Sequence, residues 1–342
     1  IICSNDVMPT NADGTMSFRQ NSNLLYFSGI DQEESVLIIA PDFPNPKMRE
    51  VLFVRETNEF IAVWEGHKYT MEEATETSGV DNVMWVDKFE STLNTVLAET
   101  ENIYLYNNEH IRNGSEVETR SDRFNKWCQS KYGSYNFERL APLAYDLRTV
   151  KEEREIELMQ TACNLTDQSF RRILDYVKPG VWEFEVEAEY LHEFIKNRSK
   201  GFAYTPIIAG GGNACVLHYI ENKDQLKDGD LLLMDVGAEY ANYNADMTRV
   251  IPVNGRFTPR QKDVYNAVLR VKNAATALLI PGNSIPDYHH AVGEIMAKEL
   301  VDLGLISTED IKNENPDWPA YKKYFMHGTS HHIGLDVHDV AS

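Results

Sequence analysis

The sequence has little cysteine, no long apolar run and too few basic residues to balance its acids. Its 4 cysteines lie far apart without a CxxC pair, which argues against thiolate metal sites and disulfides and favours a reducing compartment, the cytoplasm. No apolar stretch approaches the roughly 18 residues that a membrane span needs. The formal net charge of -20 argues against nucleic acid or an anionic membrane as a partner.

Chain length and short apolar runs predict two domains. At 342 residues the chain exceeds what one ordinary core accommodates. Up to about residue 145, β-branched and aromatic runs between polar turns predict strands at 36–40, 51–54, 60–64, 83–86 and 103–106, with a helix around 93–99. We therefore expect an α/β domain with a mixed sheet over residues 1–146. A charged helix start follows at Lys151, so we place the domain boundary just before it and expect a second domain over residues 147–342.

The second domain contains a weak internal repeat. Apolar residues recur at helical spacing over 156–177 and again over 264–278, and a Pro-Gly pair follows each run. Further amphipathic helices are predicted at 184–195 and 288–303. Two copies of helix, Pro-Gly and helix predict a duplicated α+β unit with pseudo-twofold symmetry, although such helix pairs are common enough to arise without duplication.

Two acidic residues lie in a predicted β-hairpin. Asp235 ends an apolar run that starts at Leu231, Asp246 precedes another run, and a hairpin is the economical connection. A turn centred on Tyr240 and Ala241 would place the two carboxylates directly opposite each other, about 5 Å apart. Such a pair is destabilising unless it shares a proton or binds a cation such as a bridged divalent ion. The alternative is a shifted pairing with one Asp in the turn.

Histidines cluster near the end of the sequence, at His327, His331, His332 and His338. No Glu follows the first, and glycines at 328 and 334 oppose a helix, so the helical HExxH zinc motif does not fit. A loop and strand that present several imidazoles to one cavity fit better. His218 follows a glycine-rich stretch at 210–212 without Gly-Lys-Ser/Thr, which favours a tight turn that delivers His218 over a phosphate-binding loop.

These motifs resemble the aminopeptidase P branch of the pita-bread metallopeptidases. The segments that carry the resemblance agree in order and spacing; they are 213–219 (NACVLHY), 235–240 (DVGAEY), 246–249 (DMTR), 252–257 (PVNGRF) and 327–339. Residues 19–22 (RQNS) and 26–29 (YFSG) are similar to the N-terminal domain of those enzymes. The resemblance covers nearly the whole chain and implies an N-terminal α/β domain followed by an α+β pita-bread catalytic domain.

The resemblance also implies a dinuclear metal site. The family holds two divalent ions through two Asp, one His and two Glu, and the matching residues here are Asp235, Asp246 and His331. Manganese is usual in this branch, with cobalt or zinc as alternatives, in keeping with oxygen-rich ligation. No Glu of this sequence has the matching context, so both would lie beyond Ser342. We therefore expect a catalytic domain truncated at its C-terminus, and an N-terminal domain whose first strand is incomplete.

The same resemblance assigns roles to five further residues. His218 and His338 match outer histidines that hydrogen-bond the substrate and the tetrahedral intermediate. His327 matches a histidine of the proline pocket, and Tyr204 matches a tyrosine near the substrate's amino end. Asp13 resembles a residue that reaches into a neighbouring subunit's site in tetrameric relatives.

The implied activity is hydrolysis of the bond between an N-terminal residue and a following proline, with attack by a metal-bridged hydroxide. Peptides with proline in second position are the expected partners, and a homodimer or homotetramer is the expected assembly. Prolidase, which cleaves only X-Pro dipeptides, is the nearest alternative because it shares the fold and the ligands. A non-catalytic pita-bread protein that binds peptides or proteins is the second alternative. Such relatives usually lose the Asp pair, and creatinase lacks the metals, so the retained ligands disfavour both.

Overall fold

The computed structural model describes residues 1–341. These residues form two compact units: Ile1–Glu153 with Val340 and Ala341, and Arg154–Asp339. No helix among residues 1–341 is long and apolar enough to span a membrane.

The first unit alternates short strands and helices. Its strands are β1 (Ile2–Cys3), β2 (Pro9–Asn11), β3 (Gly14–Thr15), β4 (Val36–Ile39), β5 (Glu50–Val54), β6 (Val83–Trp85), β7 (Asn102–Leu105) and β8 (Asn136–Arg139). Its helices are α1 (Ser22–Ser28), α2 (Glu59–Glu65), α3 (Met71–Ser78), α4 (Phe89–Leu97), α5 (Arg120–Lys131) and α6 (Ala141–Thr149). The main sheet has the order β1-β4-β5-β6, with β5 and β6 parallel and the other pairs antiparallel. This arrangement confirms the predicted mixed sheet.

One predicted strand is a helix. Residues 60–64 lie in α2, where the Asn58 side chain accepts a hydrogen bond from the Ile61 amide and Gly66 ends the helix at a φ of 79°. These capping residues outweigh the β propensity of the apolar run. Phe60 and Trp64 are 72% and 75% exposed, so no sheet buries this run. The prediction was wrong because it took apolar character as evidence of burial.

The RQNS segment builds a buried polar network in the first unit. The Gln20 amide donates to two backbone carbonyls, at 3.0 and 2.7 Å. Asn21 caps α1, and Asn23 accepts a 2.7 Å hydrogen bond from Arg148, whose side chain is 2% exposed. Because buried polar groups need partners, these residues fix how α1 packs within its own unit.

The second unit packs helices around a small antiparallel sheet. Its helices are α7 (Glu153–Tyr176), α8 (Glu183–Lys196), α9 (Pro259–Leu278), α10 (Ile285–Asp302) and α11 (Thr308–Lys312). Its strands are β9 (Ile207–Gly210), β10 (Leu231–Val236), β11 (Glu239–Tyr240), β12 (Tyr243–Asn244) and β13 (Met247–Pro252). The sheet order is β13-β10-β9, and β11 pairs with β12 at the end of the hairpin. Both predicted helix pairs are present, and Gly180 and Gly282 between them have φ values of 96° and 99°.

The hairpin turn lies one residue later than predicted. Tyr240 pairs with Tyr243, so the turn residues are Ala241 and Asn242, with φ values of 50° and 68°. Two-residue turns that match strand twist need a left-handed backbone at both positions, and Asn adopts it more readily than most residues. Asp235 therefore pairs with Thr248. The prediction that Asp235 and Asp246 lie directly opposite each other is wrong.

A glycine allows the two sides of this hairpin to approach closely where strand pairing is interrupted. A Cβ atom on Gly237 would lie 1.7 Å from the carbonyl oxygen of Ala245, and no larger residue fits there. The Ala245 amide donates to the Ala238 carbonyl at 2.9 Å, so the two strands stay connected across the interruption. Asp246 follows directly, which places its carboxylate near the end of β10.

Candidate metal centre

Tyr204 joins the two carboxylates of the hairpin. Its hydroxyl lies 2.5 Å from Oδ1 of Asp235 and 3.0 Å from Oδ1 of Asp246. A diagonal arrangement across the hairpin thus brings the two acids together although they are not paired in register. The predicted proximity of Asp235 and Asp246 holds, with a tyrosine between them.

The segment before β9 delivers Tyr204. The Glu239 amide donates to the Gly201 carbonyl at 3.0 Å, and the Ala203 amide donates to the Gly237 carbonyl at 2.8 Å. These hydrogen bonds align the Tyr204 segment with the interrupted part of the hairpin. Glu239 is 1% exposed and also accepts a 2.9 Å hydrogen bond from the Lys200 amide, so it anchors the start of the same segment.

The environment shifts the pKa values of the two carboxyl groups in opposite directions. Partial burial raises the pKa of Asp235, the Asp246 carboxylate adds to the rise, and hydrogen bonds from Tyr204 and Thr248 oppose it. Burial also tends to raise the pKa of Asp246. Hydrogen bonds from His331 and Tyr204, with the positive charges of His331 and His338, outweigh that tendency, so the pKa of Asp246 is lowered. A coupled carboxylate pair of this kind is a feature of functional sites.

His331 faces the carboxylate pair through one ring nitrogen. Its Nε2 lies 3.1 Å from Oδ2 of Asp246, and its Nδ1 lies 2.8 Å from the carbonyl oxygen of His332. Because a carbonyl only accepts hydrogen bonds, Nδ1 carries a proton. Nε2 therefore faces the carboxylate either with a second proton or with a lone pair. Histidine ligands of metals typically donate their other N–H to a carbonyl in this way.

These three side chains fit part of a divalent metal site. Two carboxylates and one imidazole, the last oriented by a carbonyl, are the donor types that borderline divalent ions accept. A cation would also relieve the repulsion between the two acids. Within residues 1–341, no group of three His, Cys, Asp or Glu side chains is arranged so that it could hold an ion by itself. Asp235, Asp246 and His331 therefore supply donor types that suit part of such a site, and their role as metal ligands stays a prediction.

The loop that carries His218 is anchored by a buried glutamate at the start of α8. Glu183 is 0% exposed. Its Oε1 accepts hydrogen bonds from the Gly210 amide at 2.7 Å and from Asn213 at 3.1 Å. Its Oε2 accepts from the Tyr219 hydroxyl at 2.7 Å and from the Asp224 amide at 2.9 Å. Both ends of the loop are thereby tied to one carboxylate.

The structure places the other predicted residues in varied surroundings. The ring of His338 meets that of His331 edge to face, with centroids 4.3 Å apart. His327 is exposed and packs edge-on against Phe325 at 4.8 Å. His218 is also exposed, and within residues 1–341 no hydrogen bond or ion pair joins it to the carboxylates. The residues from 327 to 339 form a loop, so the predicted strand there is absent from the described chain.

Asp13 lies in the first unit, at the exposed turn between β2 and β3. Its predicted role, at a neighbouring subunit's site, stays a prediction.

The sequence reasoning missed several residues that support the site. Thr248 hydrogen-bonds Asp235, Glu183 anchors the His218 loop, and His289 Nδ1 lies 3.1 Å from the Thr329 hydroxyl. The Asn244 side chain donates to the carbonyls of Gly334 and Leu335. The Asp-X-Thr spacing at 246–248 could have indicated Thr248. No local signal marks the others, because their partners are distant in sequence.

Known proteins are similar to this chain over nearly its whole length. Residues 157–342 match the model of metallopeptidase family M24, and residues 1–106 match the aminopeptidase P N-terminal domain. The Xaa-Pro aminopeptidase of Haemophilus influenzae is 34% identical over 336 residues, which are 97% of this chain and 74% of that protein. The Xaa-Pro aminopeptidase of Escherichia coli K12 is 32% identical over 332 residues, with coverage of 96% and 74%.

Solved structures agree with the family match. A zinc-substituted aminopeptidase P of E. coli in complex with product superposes with a TM-score of 0.86 at 31% identity, covering 100% of this chain and 77% of that one. The proline aminopeptidase P II of Yersinia pestis gives a TM-score of 0.86 at 32% identity, with coverage of 100% and 78%. The chain therefore belongs to metallopeptidase family M24. Along the sequence, an aminopeptidase P N-terminal domain is followed by the family's pita-bread catalytic domain.

Proposed function

We propose that this protein is an Xaa-Pro aminopeptidase that removes the first residue of peptides with proline in second position. The observation that carries the proposal is the convergence of Asp235, Asp246 and His331. The Tyr204 hydroxyl lies 2.5 Å from Asp235 and 3.0 Å from Asp246, and His331 Nε2 lies 3.1 Å from Asp246. These donors lie in a chain of a metallopeptidase family whose relatives named above are Xaa-Pro aminopeptidases. The proposed cofactor is a pair of manganese ions, with cobalt or zinc as alternatives.

Asp235, Asp246 and His331 would hold the metal. When bound, a divalent ion supplies Lewis-acid polarisation of the scissile carbonyl and lowers the pKa of the attacking water. Asp235 and Asp246 provide the negative charge at this position, and the carbonyl of His332 keeps the His331 ring turned towards them. The two acids lie close enough to share one hydroxyl donor, so both would contribute to the same metal site.

Three residues would act on the peptide. Burial, with the two adjacent carboxylates, raises the pKa of Tyr204, so this phenol stays protonated and donates hydrogen bonds near the substrate's amino end. His218 and His338 are exposed imidazoles that would donate to the oxygen of the tetrahedral intermediate. Hydrogen-bond donors aimed at that oxygen typically contribute about 100-fold or more to kcat.

The specificity for proline would come from His327. Its ring packs against Phe325, which gives an aromatic surface suited to the flat apolar face of a pyrrolidine ring. Its Nδ1 lies 2.8 Å from the Gly328 carbonyl, which orients the ring. Replacing His327 should therefore raise KM for Xaa-Pro peptides more than it lowers kcat.

A substrate panel tests this function. Protein expressed from the complete gene should cleave Arg-Pro-Pro between the first two residues when manganese is supplied, and should not cleave Arg-Ala-Pro. Chelator treatment and Asp246→Asn should each abolish the activity. Cleavage of Ala-Pro with no cleavage of Arg-Pro-Pro would assign prolidase. Tight metal binding without hydrolysis would reject the proposed substrates, and neither binding nor hydrolysis would assign a non-catalytic peptide- or protein-binding role.

The finer features of the proposal have their own tests. Elemental analysis of the purified protein, with reconstitution by manganese, cobalt and zinc in turn, gives the identity and number of ions. Light scattering with chromatography distinguishes the proposed homodimer and homotetramer. Asp13→Ala should lower activity only if Asp13 completes a neighbouring subunit's site. The cytoplasmic location is proposed from the widely spaced cysteines, and cell fractionation tests it.

A further inference from the structure

Asn244 connects the carboxylate hairpin to the histidine loop, which we define as residues 331–338. Asn244 lies in β12, two residues before Asp246, and is 1% exposed. Its backbone N–H donates to the Gly334 carbonyl at 3.0 Å. Its Nδ2 donates to the carbonyls of Gly334 at 3.1 Å and Leu335 at 2.9 Å.

The orientation of the Asn244 amide follows from these partners. Nδ2 lies between two carbonyl oxygens, which only accept hydrogen bonds, so a flipped amide would place Oδ1 against both of them. Oδ1 is buried and has no hydrogen-bond partner within residues 1–341. A buried amide that satisfies its donor and leaves its acceptor unpaired is uncommon. We infer that the role of Asn244 is to hold the carbonyl groups to which its N–H groups donate.

The anchor point lies in the middle of the histidine loop. Gly334 and Leu335 separate His331 from His338 along the chain. The loop also closes on itself, since the Gly334 amide donates to the Asp336 carbonyl and the Asp339 amide donates to the His332 carbonyl, both at 3.0 Å. These internal hydrogen bonds link the part of the loop beside His331 to its far end, and Asn244 ties the loop to the strand that leads into Asp246.

We propose that Asn244 is a positioning residue for the metal centre. By tying the histidine loop to the hairpin, Asn244 holds His331 at its distance from Asp246. The inference rests on the proposed function in taking Asp246 and His331 as metal ligands. It adds a residue that contacts neither the metal nor the peptide and acts through His331. Residues that orient ligands typically contribute 10–100-fold to metal affinity (order of magnitude).

Manganese titration of the full-length protein tests the proposal without relying on catalysis. Mn²⁺ binding is followed by electron paramagnetic resonance for the wild type, Asn244→Ala and the matched control Asn254→Ala. Asn254 is an exposed asparagine of the same unit whose amide donates to Asp228 at 2.7 Å. We expect Asn244→Ala to weaken Mn²⁺ binding by roughly 10–100-fold and Asn254→Ala to leave it within about twofold.

A double-mutant cycle separates positioning from a general loss of structure. If Asn244 acts through His331, Asn244→Ala should change Mn²⁺ affinity by less than about twofold in a His331→Ala background. Fully additive losses, or unchanged affinity in a folded Asn244→Ala protein, would overturn the proposal. If Asn244→Ala does not fold, Asn244→Ser keeps one donor, and an intermediate loss of affinity is then expected; unchanged affinity again refutes the proposal. Wild-type protein that binds Mn²⁺ without hydrolysing Arg-Pro-Pro would refute the proposed function and leave this test intact.

Discussion

The Tyr204 hydroxyl lies 2.5 Å from Oδ1 of Asp235, where the segment before β9 pairs antiparallel with the interrupted part of the hairpin. The same hydroxyl is 3.0 Å from Oδ1 of Asp246, so a single donor serves two acids. One hydroxyl proton cannot satisfy two carboxylates fully. Tyr204 therefore relieves their mutual repulsion only in part, and a cation at this position would relieve it further.

Tyr204→Phe should destabilise the metal-free protein more than the metal-loaded protein. Without metal, the variant leaves two carboxylates without this donor, at a cost of about 1–3 kcal/mol. With metal bound, the cation stabilises the acids, so the loss is smaller. Thermal unfolding of both proteins with manganese and with chelator measures the difference. An equal decrease in Tm under the two conditions would show that Tyr204 does not serve the carboxylate pair.

His331→Gln should abolish activity, whereas the neighbouring His332→Gln should not. His331 Nε2 faces Asp246, while the exposed His332 contributes its backbone carbonyl, which the substitution retains. We expect His331→Gln to weaken metal binding by roughly 100-fold or more, since it removes a ligand. Metal titration and kcat/KM of both variants check this. Equal effects at the two positions would contradict the assignment of His331.

Glu183→Gln should destabilise the second unit and lower kcat/KM through His218. The amide nitrogen of Gln would face N–H or O–H donors, because both Glu183 oxygens accept two hydrogen bonds. Each donor left unpaired costs about 1–3 kcal/mol when buried. Urea unfolding gives the loss of stability, with Asp228→Asn as an exposed acid-to-amide control. If Glu183 acts through His218, Glu183→Gln should add little to the kinetic defect of His218→Ala; additive defects would show that it does not act through His218.

Glu33→Gln should destabilise the protein at neutral pH by about 1–2 kcal/mol, with the difference disappearing in acid. Burial tends to raise the pKa of Glu33, but the Lys68 ammonium at 2.6 Å and the Arg55 guanidinium at 3.2 Å outweigh burial, so the pKa is lowered. A carboxyl group with a lowered pKa in the folded state stabilises the protein above its unfolded pKa of roughly 4.3. That contribution is lost as the pH falls through the folded pKa.

Urea unfolding from pH 7 to pH 3 measures this dependence. The difference between the wild type and Glu33→Gln should shrink as the pH falls below the unfolded pKa of roughly 4.3 and disappear below the lowered folded pKa. Glu34→Gln is a matched control, since the Glu34 side chain is 51% exposed and 3.9 Å from Arg55. A constant difference between wild type and Glu33→Gln across this pH range would show that the ion pairs do not stabilise the fold.

Local sequence patterns predicted much of the secondary structure correctly. Apolar periodicity and Pro-Gly stops located α7 and α9, and short apolar runs located β4, β5 and β10, because these signals act within a few residues of each other. The same logic failed at α2, where an exposed apolar run carries helix caps at Asn58 and Gly66. Burial is a property of the whole fold, and a run of apolar residues does not specify it.

The sequence by itself pointed to the family and predicted three donor residues of a metal site. The hairpin pattern singled out Asp235 and Asp246, and the resemblance to aminopeptidase P added His331 as a predicted ligand. The tertiary structure decided how they meet. A left-handed backbone at Ala241 and Asn242 set the strand register, and Tyr204 entered between two acids, one of them 42 residues away. Contacts across such separations depend on the packing of several elements at once, which no local pattern encodes.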